Sequence, residues 1–304
     1  VHEHTLENDE VEHQNVIVEK LSEIEKKLGI KIILACELSS RSLGTSHQAS
    51  DHDVYCIFVH KAEKYYSIKP SISKSFRMAY AKQNDVPEID IVGLECSHSF
   101  LMMSSNNLTM FELFNSNIIY MCKKLKTFDW VYAVNDTMKN CYDKKALAWS
   151  CLNHATSNFK QYICRKELIL KKKYLHILRR IIMGKYILSC KEEDIVWPLP
   201  YSIEMQLCTI KEENTAILPS DIRSKLIDML DLNERWKLST PSNKIELFDK
   251  FIVKALDEMK TQLKQNNISL KPTALQLKRQ ESDKLKQWDY INCKIIKAFS
   301  LEDI

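Results

Sequence analysis

Three short apolar runs, rich in β-branched residues, are the feature that most constrains the fold of this chain. They cover residues 31–36, 54–59 and 89–94, and each has the length and composition of a buried strand. All three lie in the first third of the 304 residues, whereas apolar positions recur at helical spacing almost throughout from about residue 143. Glycine (4) and proline (7), which the tight turns of all-β folds require, are scarce. The sequence therefore predicts an α+β head followed by an all-α helical domain.

Helical periodicity predicts the remaining elements. In the head, we expect one helix over 10–28, with Gly29 as its C-cap, and another over 100–114. The polar excursion 61–87 is expected to be a packed surface loop, although its mixture of aromatic and lysine residues also suits contacts with RNA bases. Six further helices are predicted over 143–162, 166–189, 202–209, 219–230, 245–266 and 273–299. We place the boundary so that residues 1–140 form the head and 141–304 the helical domain.

Composition limits the classes of protein that remain. The net charge of +4 is only mildly basic and falls well short of that of a nucleic-acid coat protein. The ten cysteines include no C-x-x-C pair, which argues against a zinc site and favours buried thiols in a reducing compartment. No segment approaches the roughly 18 apolar residues of a membrane span. We expect a soluble cytoplasmic protein with no membrane partner, and the sequence does not indicate its oligomeric state.

Three aspartates lie at the starts of the predicted strands. Asp51 and Asp53 are two residues apart where the second strand begins, so a regular pleat puts both carboxylates on one face. Asp90 opens the third strand and joins them if the two strands are neighbours. Such a trio suits Mg²⁺ or Mn²⁺, and three carboxylates can hold two ions about 4 Å apart. We therefore predict that all three residues bind metal and act in catalysis, with Asp90 on the side of the attacking hydroxyl.

Two basic or polar segments are candidates for binding phosphate. The serine-rich turn before Asp51 offers backbone N–H groups, while Ser39 and Ser40 add hydroxyls and Arg41 a charge. Arg41 could instead pair with Glu37 inside the protein. In the predicted helix 166–189, three basic residues share one face, which indicates either a phosphate-binding stripe or a solvated surface. They are Lys172, His176 and Arg179.

These segments together resemble a known family. Residues 37–44 read Glu-Leu-Ser-Ser-Arg-Ser-Leu-Gly and residues 50–55 read Ser-Asp-His-Asp-Val-Tyr. This is similar to the signature of the RNA-repair-pathway DNA polymerase beta family nucleotidyltransferases, Glu-Ser-Gly-Ser-Arg-Ala-aromatic-Gly followed by Ser-Asp-Tyr-Asp-Val-Arg. Residues 88–91, Glu-Ile-Asp-Ile, resemble the strand of the third family carboxylate. Residues 172–180 resemble the family helix Lys-Lys-Tyr-aromatic-Tyr-Val-Leu-Arg-Pro, and the similarity runs in order from about residue 30 to 210.

The resemblance implies a fold and a set of roles. The head is expected to be polymerase beta-like, with a short mixed sheet and flanking helices. Ser40 is expected on the triphosphate, the aspartates on the metal, and Lys173 and Arg179 on phosphate. Within the helix motif, His176 replaces an aromatic residue and Arg180 replaces a proline. The role of this helix is therefore expected to differ from its role in the family.

Ser39 is the departure with the clearest physical consequence, because it stands where the family has glycine. Glycine tolerates a positive φ, and a serine forced into that conformation would cost about 1 kcal/mol. His52, between the two aspartates, is expected to point to the opposite strand face as a structural residue.

The predicted activity is transfer of a nucleoside monophosphate from an NTP, ATP among them, to a hydroxyl, with release of pyrophosphate. The family association makes an RNA end the expected acceptor. The same chemistry would serve nucleotidylation of a protein or the joining of two nucleotides. A non-catalytic nucleotide- or RNA-binding module is the alternative from another class, and the replacement at Ser39 is the observation in its favour.

Overall fold

The structure is a computed structural model of the chain. It describes residues 2–46, 50–68, 72–82, 86–125, 128–231, 237–265 and 274–300.

A five-stranded mixed sheet forms the centre of the head. Its spatial order is β3-β4-β2-β1-β5, in which β2 and β4 run parallel and the other neighbouring pairs run antiparallel. The strands are β1 (Ile30–Glu37), β2 (His52–His60), β3 (Ser75–Tyr80), β4 (Ile89–Glu95) and β5 (Ile119–Cys122). The short mixed sheet expected of the head is therefore confirmed.

The three predicted strands are β1, β2 and β4, each within two residues of the expected bounds at either end. Strands β3 and β5 were not predicted. Strand β3 lies in the excursion that we expected to be a loop, and its side chains alternate between exposed and half-buried because it is an edge strand. An edge strand buries too little apolar surface to produce the strong sequence pattern of β1 and β2.

The described residues of the head include six helices. Helix α1 packs against one face of the sheet through Ile17, Leu21 and Ile24 and begins earlier than the predicted residue 10. The helix predicted over 100–114 is wrong in one respect, since it divides at Asn106, whose φ is +57°. The helices are α1 (His2–Leu28), α2 (Ser39–Ser42), α3 (Ala62–Tyr66), α4 (Cys96–Ser104), α5 (Leu108–Phe114) and α6 (Trp130–Cys141).

The C-terminal part is almost entirely helical, as predicted. Helix α7 continues into a π-helical turn, Lys160–Cys164, and a two-stranded sheet pairs β6 (Ile169–Leu170) with β7 (Pro241–Ser242). A short 3₁₀ turn covers Glu192–Asp194. The α-helices are α7 (Lys144–Phe159), α8 (Lys171–Ser189), α9 (Ile203–Thr209), α10 (Ser220–Leu230), α11 (Glu246–Gln265) and α12 (Ala274–Ser300).

The second face of the sheet shares one hydrophobic core with the helices. Helix α12 returns to the head, where the Trp288 ring lies 5.5 Å from that of Phe100 and Asn292 Nδ2 donates to Ser97 Oγ at 3.1 Å. The division into 1–140 and 141–304 stays a prediction, and the buried core runs across it. Within the described residues, no helix is long and apolar enough to cross a membrane.

Candidate active site

The parallel pairing of β2 with β4 brings two of the predicted aspartates side by side. Asp53 is the register partner of Asp90, so their side chains leave the same face of adjacent strands, which lie about 4.8 Å apart. Both are half-buried, whereas Asp51, one residue before β2, is exposed. The condition set by the sequence, that the second and third predicted strands be neighbours, is met.

Negative charge accumulates around Asp53. The pKa of its carboxyl group is raised to about 6, first by burial, then by Asp51, with smaller contributions in the same direction from Glu37 and Asp90. A hydrogen bond from the Ser39 side chain opposes them. A carboxylate that is disfavoured in this way gains from a cation beside it, and oxygen donors are the ligands that Mg²⁺ and Mn²⁺ prefer. The chemistry of the residues therefore fits a divalent metal.

Arg77, which the sequence reasoning missed, holds Asp90 in the present arrangement. Its Nε and one terminal nitrogen lie 2.9 and 2.5 Å from the two carboxylate oxygens, and its side chain is 73% exposed. Over the described ranges, no group of three His, Cys, Asp or Glu side chains is arranged to hold a metal ion. A cation shared by Asp90 and Asp53 would compete with Arg77 for the Asp90 carboxylate. The apolar-polar alternation of residues 75–80 is the signal that could have identified this strand and its arginine.

The serine-rich turn lies directly against Asp53. The N–H of Leu38 donates to the main-chain oxygen of Asp53 at 2.8 Å, and Ser39 then begins helix α2. Ser39 has a φ of +63°, so the strained conformation expected at the position of the family glycine is present. Its side chain is hydrogen-bonded to the Asp53 carboxylate, an interaction that glycine cannot make. Ser40 is buried within the same short helix.

Arg41 joins the turn to the segment that carries Asp51. Its guanidinium donates to the main-chain oxygens of Ser50 at 2.7 Å and Asp51 at 3.3 Å. The carboxylate of Glu37, the alternative partner considered from the sequence, is instead hydrogen-bonded to His52 and Tyr120. Arg41 therefore holds the loop in front of the aspartates in place, and its contact with a triphosphate stays a prediction.

The first turn of α8 faces the aspartates from the helical part. Burial and the neighbouring Lys172 lower the pKa of the Lys173 ammonium group, while Asp51 and Asp53 act in the opposite direction. The Nζ of Lys173 also lies 4.4 Å from the centre of the Tyr162 ring. Lys173 is thus close enough to Asp51 and Asp53 for their charges to act on its ammonium group, and Lys172 is its neighbour in the chain.

Arg179 does not reach this cluster. It is 7% exposed and pairs with the buried carboxylate of Glu112, which also lies 2.6 Å from Arg180. Arg179 further donates to the main-chain oxygen of Tyr201 at 3.2 Å. Burial alone would raise the pKa of Glu112, but the two arginines overcome it and lower the value. The prediction that Arg179 contacts phosphate has no support in this placement.

His176 does not contribute a positive charge to the expected cationic stripe on α8. Burial lowers its pKa to about 3, and Arg179, Lys173 and Arg180 act in the same direction. His176 is therefore neutral at physiological pH. Arg180 joins Arg179 and Glu112 in a buried ion cluster. Of the predicted phosphate contacts on this helix, Lys172 and Lys173 remain candidates.

The chain is similar to one protein family and to individual known proteins. The family model of the RNA repair pathway DNA polymerase beta family matches residues 13–285, a range that includes the aspartates, the turn and α8. The chain is 23% identical over 269 residues to the uncharacterised protein YcgL of Bacillus subtilis (strain 168), which covers 86% of this chain and 93% of YcgL. It is 12% identical to a nucleotidyltransferase-like protein of Exiguobacterium sibiricum 255-15, whose crystal structure matches 82% of this chain and 75% of that chain with a TM-score of 0.29.

Proposed function

The chain belongs to the RNA repair pathway DNA polymerase beta family, and we propose that it transfers a nucleoside monophosphate from an NTP to a hydroxyl at an RNA end, releasing pyrophosphate. The observation that carries this proposal is the parallel register of Asp53 with Asp90 near the start of two interior strands, next to Asp51 and to a serine-rich turn. The RNA acceptor rests on the family alone.

Asp51, Asp53 and Asp90 would hold Mg²⁺ or Mn²⁺. When bound there, the metal supplies charge neutralisation for the triphosphate and makes the attacking hydroxyl more acidic. In the proposed transfer, a bond forms between the acceptor oxygen and the α-phosphorus, and the bond from that phosphorus to the β-phosphate oxygen breaks. The proton of the attacking hydroxyl passes to a carboxylate oxygen of Asp90. This chemistry requires placement and charge neutralisation more than a covalent intermediate.

The basic and hydroxyl residues around the aspartates would bind the triphosphate. Lys172 and Lys173 would donate to its oxygens from the helical side, with Lys173 already in the field of Asp51 and Asp53. Ser39, Ser40 and Arg41 would contact it from the turn through side-chain or main-chain donors. Substrate would then lie between the head and α8.

The experiment is a transfer assay with each α-³²P-labelled NTP and Mg²⁺ or Mn²⁺, in which pyrophosphate release and label transfer are both followed. RNA with a 3′-hydroxyl, the same RNA with a blocked 3′ end, protein and no acceptor are compared. Label on the 3′-hydroxyl RNA alone supports the proposal. Label on protein would identify a protein as the acceptor, and label in a joined nucleotide would identify a nucleotide. If no combination releases pyrophosphate, the alternative of a non-catalytic binding module is favoured.

Two variants make the assay specific. Asp53→Asn should abolish transfer because it removes a charge from the metal site while preserving the size of the side chain. Asp257→Asn, an exposed aspartate on α11, is the matched control and should leave transfer unchanged. Full activity in Asp53→Asn would contradict the proposed site.

A further inference from the structure

Glu37 is a buried carboxylate at the end of β1, directly behind the strand that carries Asp53. Its side chain is 0% exposed. Its main chain is held on both sides, because its N–H donates to Ile118 O at 2.9 Å and its oxygen accepts from Ser116 Oγ at 2.6 Å. In the antiparallel register Glu37 is opposite Val54, so its side chain lies on the face of the sheet that α1 covers. Glu37 therefore lies on the face opposite the Asp53 carboxylate.

Three donors converge on the Glu37 side chain. The main-chain N–H of Asp53 donates to Oε1 at 2.7 Å, and His52 Nδ1 lies 3.1 Å from Oε2, which also accepts from the hydroxyl of Tyr120. Because a carboxylate only accepts, we assign the tautomer of His52 in which Nδ1 carries the proton. Burial raises the pKa of Tyr120, and the nearby Glu37 raises it further, so the phenol keeps its proton and remains a donor.

Both polar groups of the Asp53 main chain are therefore hydrogen-bonded. Its N–H is bound by Glu37 and its oxygen by the N–H of Leu38 at 2.8 Å. Neither contact uses the Asp53 carboxylate, which points to the other face, toward Asp51 and Asp90. The direction of a side chain follows from the conformation of its main chain, so these two hydrogen bonds determine where the Asp53 carboxylate lies.

We propose that Glu37 is a positioning residue for divalent-metal binding, which holds the Asp53 carboxylate at the metal from behind the strand, with Tyr120 and His52 keeping Glu37 itself in place. This inference rests on the proposed function, because it requires Asp53 to be a metal ligand. Residues that orient metal ligands in this way commonly affect metal affinity by about 10- to 100-fold when they are replaced.

A purely structural role is the competing explanation, and the chain contains a matched control for it. Glu95 is a second buried carboxylate of the head, 3% exposed, at the end of β4. It too accepts from a tyrosine hydroxyl, that of Tyr65 at 2.8 Å, and from a main-chain N–H, that of His98 at 2.9 Å. It lies at the opposite end of the parallel β2–β4 pair from the aspartates. Replacing Glu37 or Glu95 should therefore destabilise the fold by similar chemistry, but only Glu37 should affect metal binding.

The experiment measures Mn²⁺ affinity of the full chain by calorimetry, without NTP or acceptor, and checks folding by circular dichroism. Glu37→Met should weaken Mn²⁺ binding by about 10- to 100-fold. Glu37→Gln should restore most of it, because its carboxamide oxygen still accepts from the N–H of Asp53. Tyr120→Phe should cause a smaller loss, whereas Glu95→Met should leave the affinity unchanged.

Asp53→Asn distinguishes failure of the positioning role of Glu37 from failure of the proposed metal site. If it abolishes Mn²⁺ binding while Glu37→Met binds as the wild type does, the positioning role is overturned and the proposed metal site stands. If Asp53→Asn binds Mn²⁺ like the wild type, the proposed metal site fails and the inference fails with it. Should Glu37→Met not fold, unchanged affinity in Tyr120→Phe overturns the positioning role.

Discussion

Replacing Ser39 by alanine and by glycine separates the two properties that this residue combines. Its backbone is in the left-handed region, with a φ of +63°, and its side chain is hydrogen-bonded to the half-buried carboxylate of Asp53. Ser39→Ala keeps the Cβ atom and its strain but removes the hydroxyl. Ser39→Gly removes both. The pair of variants therefore reports on strain and hydrogen bonding independently.

The magnitudes decide which effect dominates. A hydrogen bond to a charged group contributes about 1.5–3 kcal/mol, and because Asp53 is only half-buried we take the lower end for the loss in Ser39→Ala. Glycine adopts the left-handed backbone without strain, which raises the free energy of unfolding of the glycine variant by about 1–2 kcal/mol. The greater conformational freedom of glycine in the unfolded chain lowers the free energy of unfolding by about 0.5–1 kcal/mol. The expected order of stability is wild type, then Ser39→Gly, then Ser39→Ala, with the glycine variant about 0–1.5 kcal/mol below wild type and the alanine variant about 1.5 kcal/mol below it.

Urea unfolding at pH 7.5 tests this order, because that pH lies above the pKa of about 6 of Asp53 and its carboxylate is ionised. At pH 5 the carboxyl group is largely protonated, so the charge-assisted hydrogen bond weakens and the loss in Ser39→Ala should shrink. An alanine variant as stable as the wild type would refute the hydrogen bond. A glycine variant no more stable than the alanine variant would refute the backbone strain.

Three further predictions follow from the contacts of the site. Arg77→Met frees Asp90 from an exposed ion pair, so Mn²⁺ affinity measured by calorimetry should rise by up to about fivefold, and unchanged or weaker binding would contradict a competing role for Arg77. The folded pKa of His176 lies near 3, below the 6.5 of an unfolded histidine, so the unfolded chain takes up the extra proton and stability is lost as the pH falls from about 6.5 toward 3. His176→Phe should therefore lose less stability than the wild type between pH 7.5 and pH 5 in urea unfolding, and an equal loss would contradict the lowered pKa of His176. Glu112→Met leaves the paired arginines buried without a counter-charge and should cost about 3–5 kcal/mol in the same assay, whereas a cost below about 1 kcal/mol would contradict the burial of Arg179.

The strands that carry the aspartates could be predicted because their physical requirements are local. A strand buried on both faces needs a continuous apolar run, and β1, β2 and β4 each have one. The spacing of Asp51 and Asp53 and the position of Asp90 at the start of β4 followed from the same pattern. Strand β3 escaped prediction because its edge position removes that requirement, and Arg77 escaped with it.

The contacts that escaped prediction depend on partners distant in sequence. Tyr120 lies 83 residues from Glu37, and no local pattern joins them. On α8, residues 177–184 are buried continuously, so no polar face remains there for Arg179 to share with Lys172. Helical periodicity assumed one packed face, whereas α7, α9 and α11 all contact this helix. The interruption at Asn106 depends on a residue that tolerates the left-handed conformation and gives only a weak signal in sequence.

A crystal structure with Mn²⁺ and a non-hydrolysable NTP analogue, in which anomalous scattering locates the metal, tests the proposed site most directly. We predict an Mn²⁺ ion coordinated by carboxylate oxygens of Asp53 and Asp90, with Arg77 released from Asp90 and the triphosphate reaching Lys173. Anomalous density away from the aspartates, with the pair between Arg77 and Asp90 intact, would contradict it.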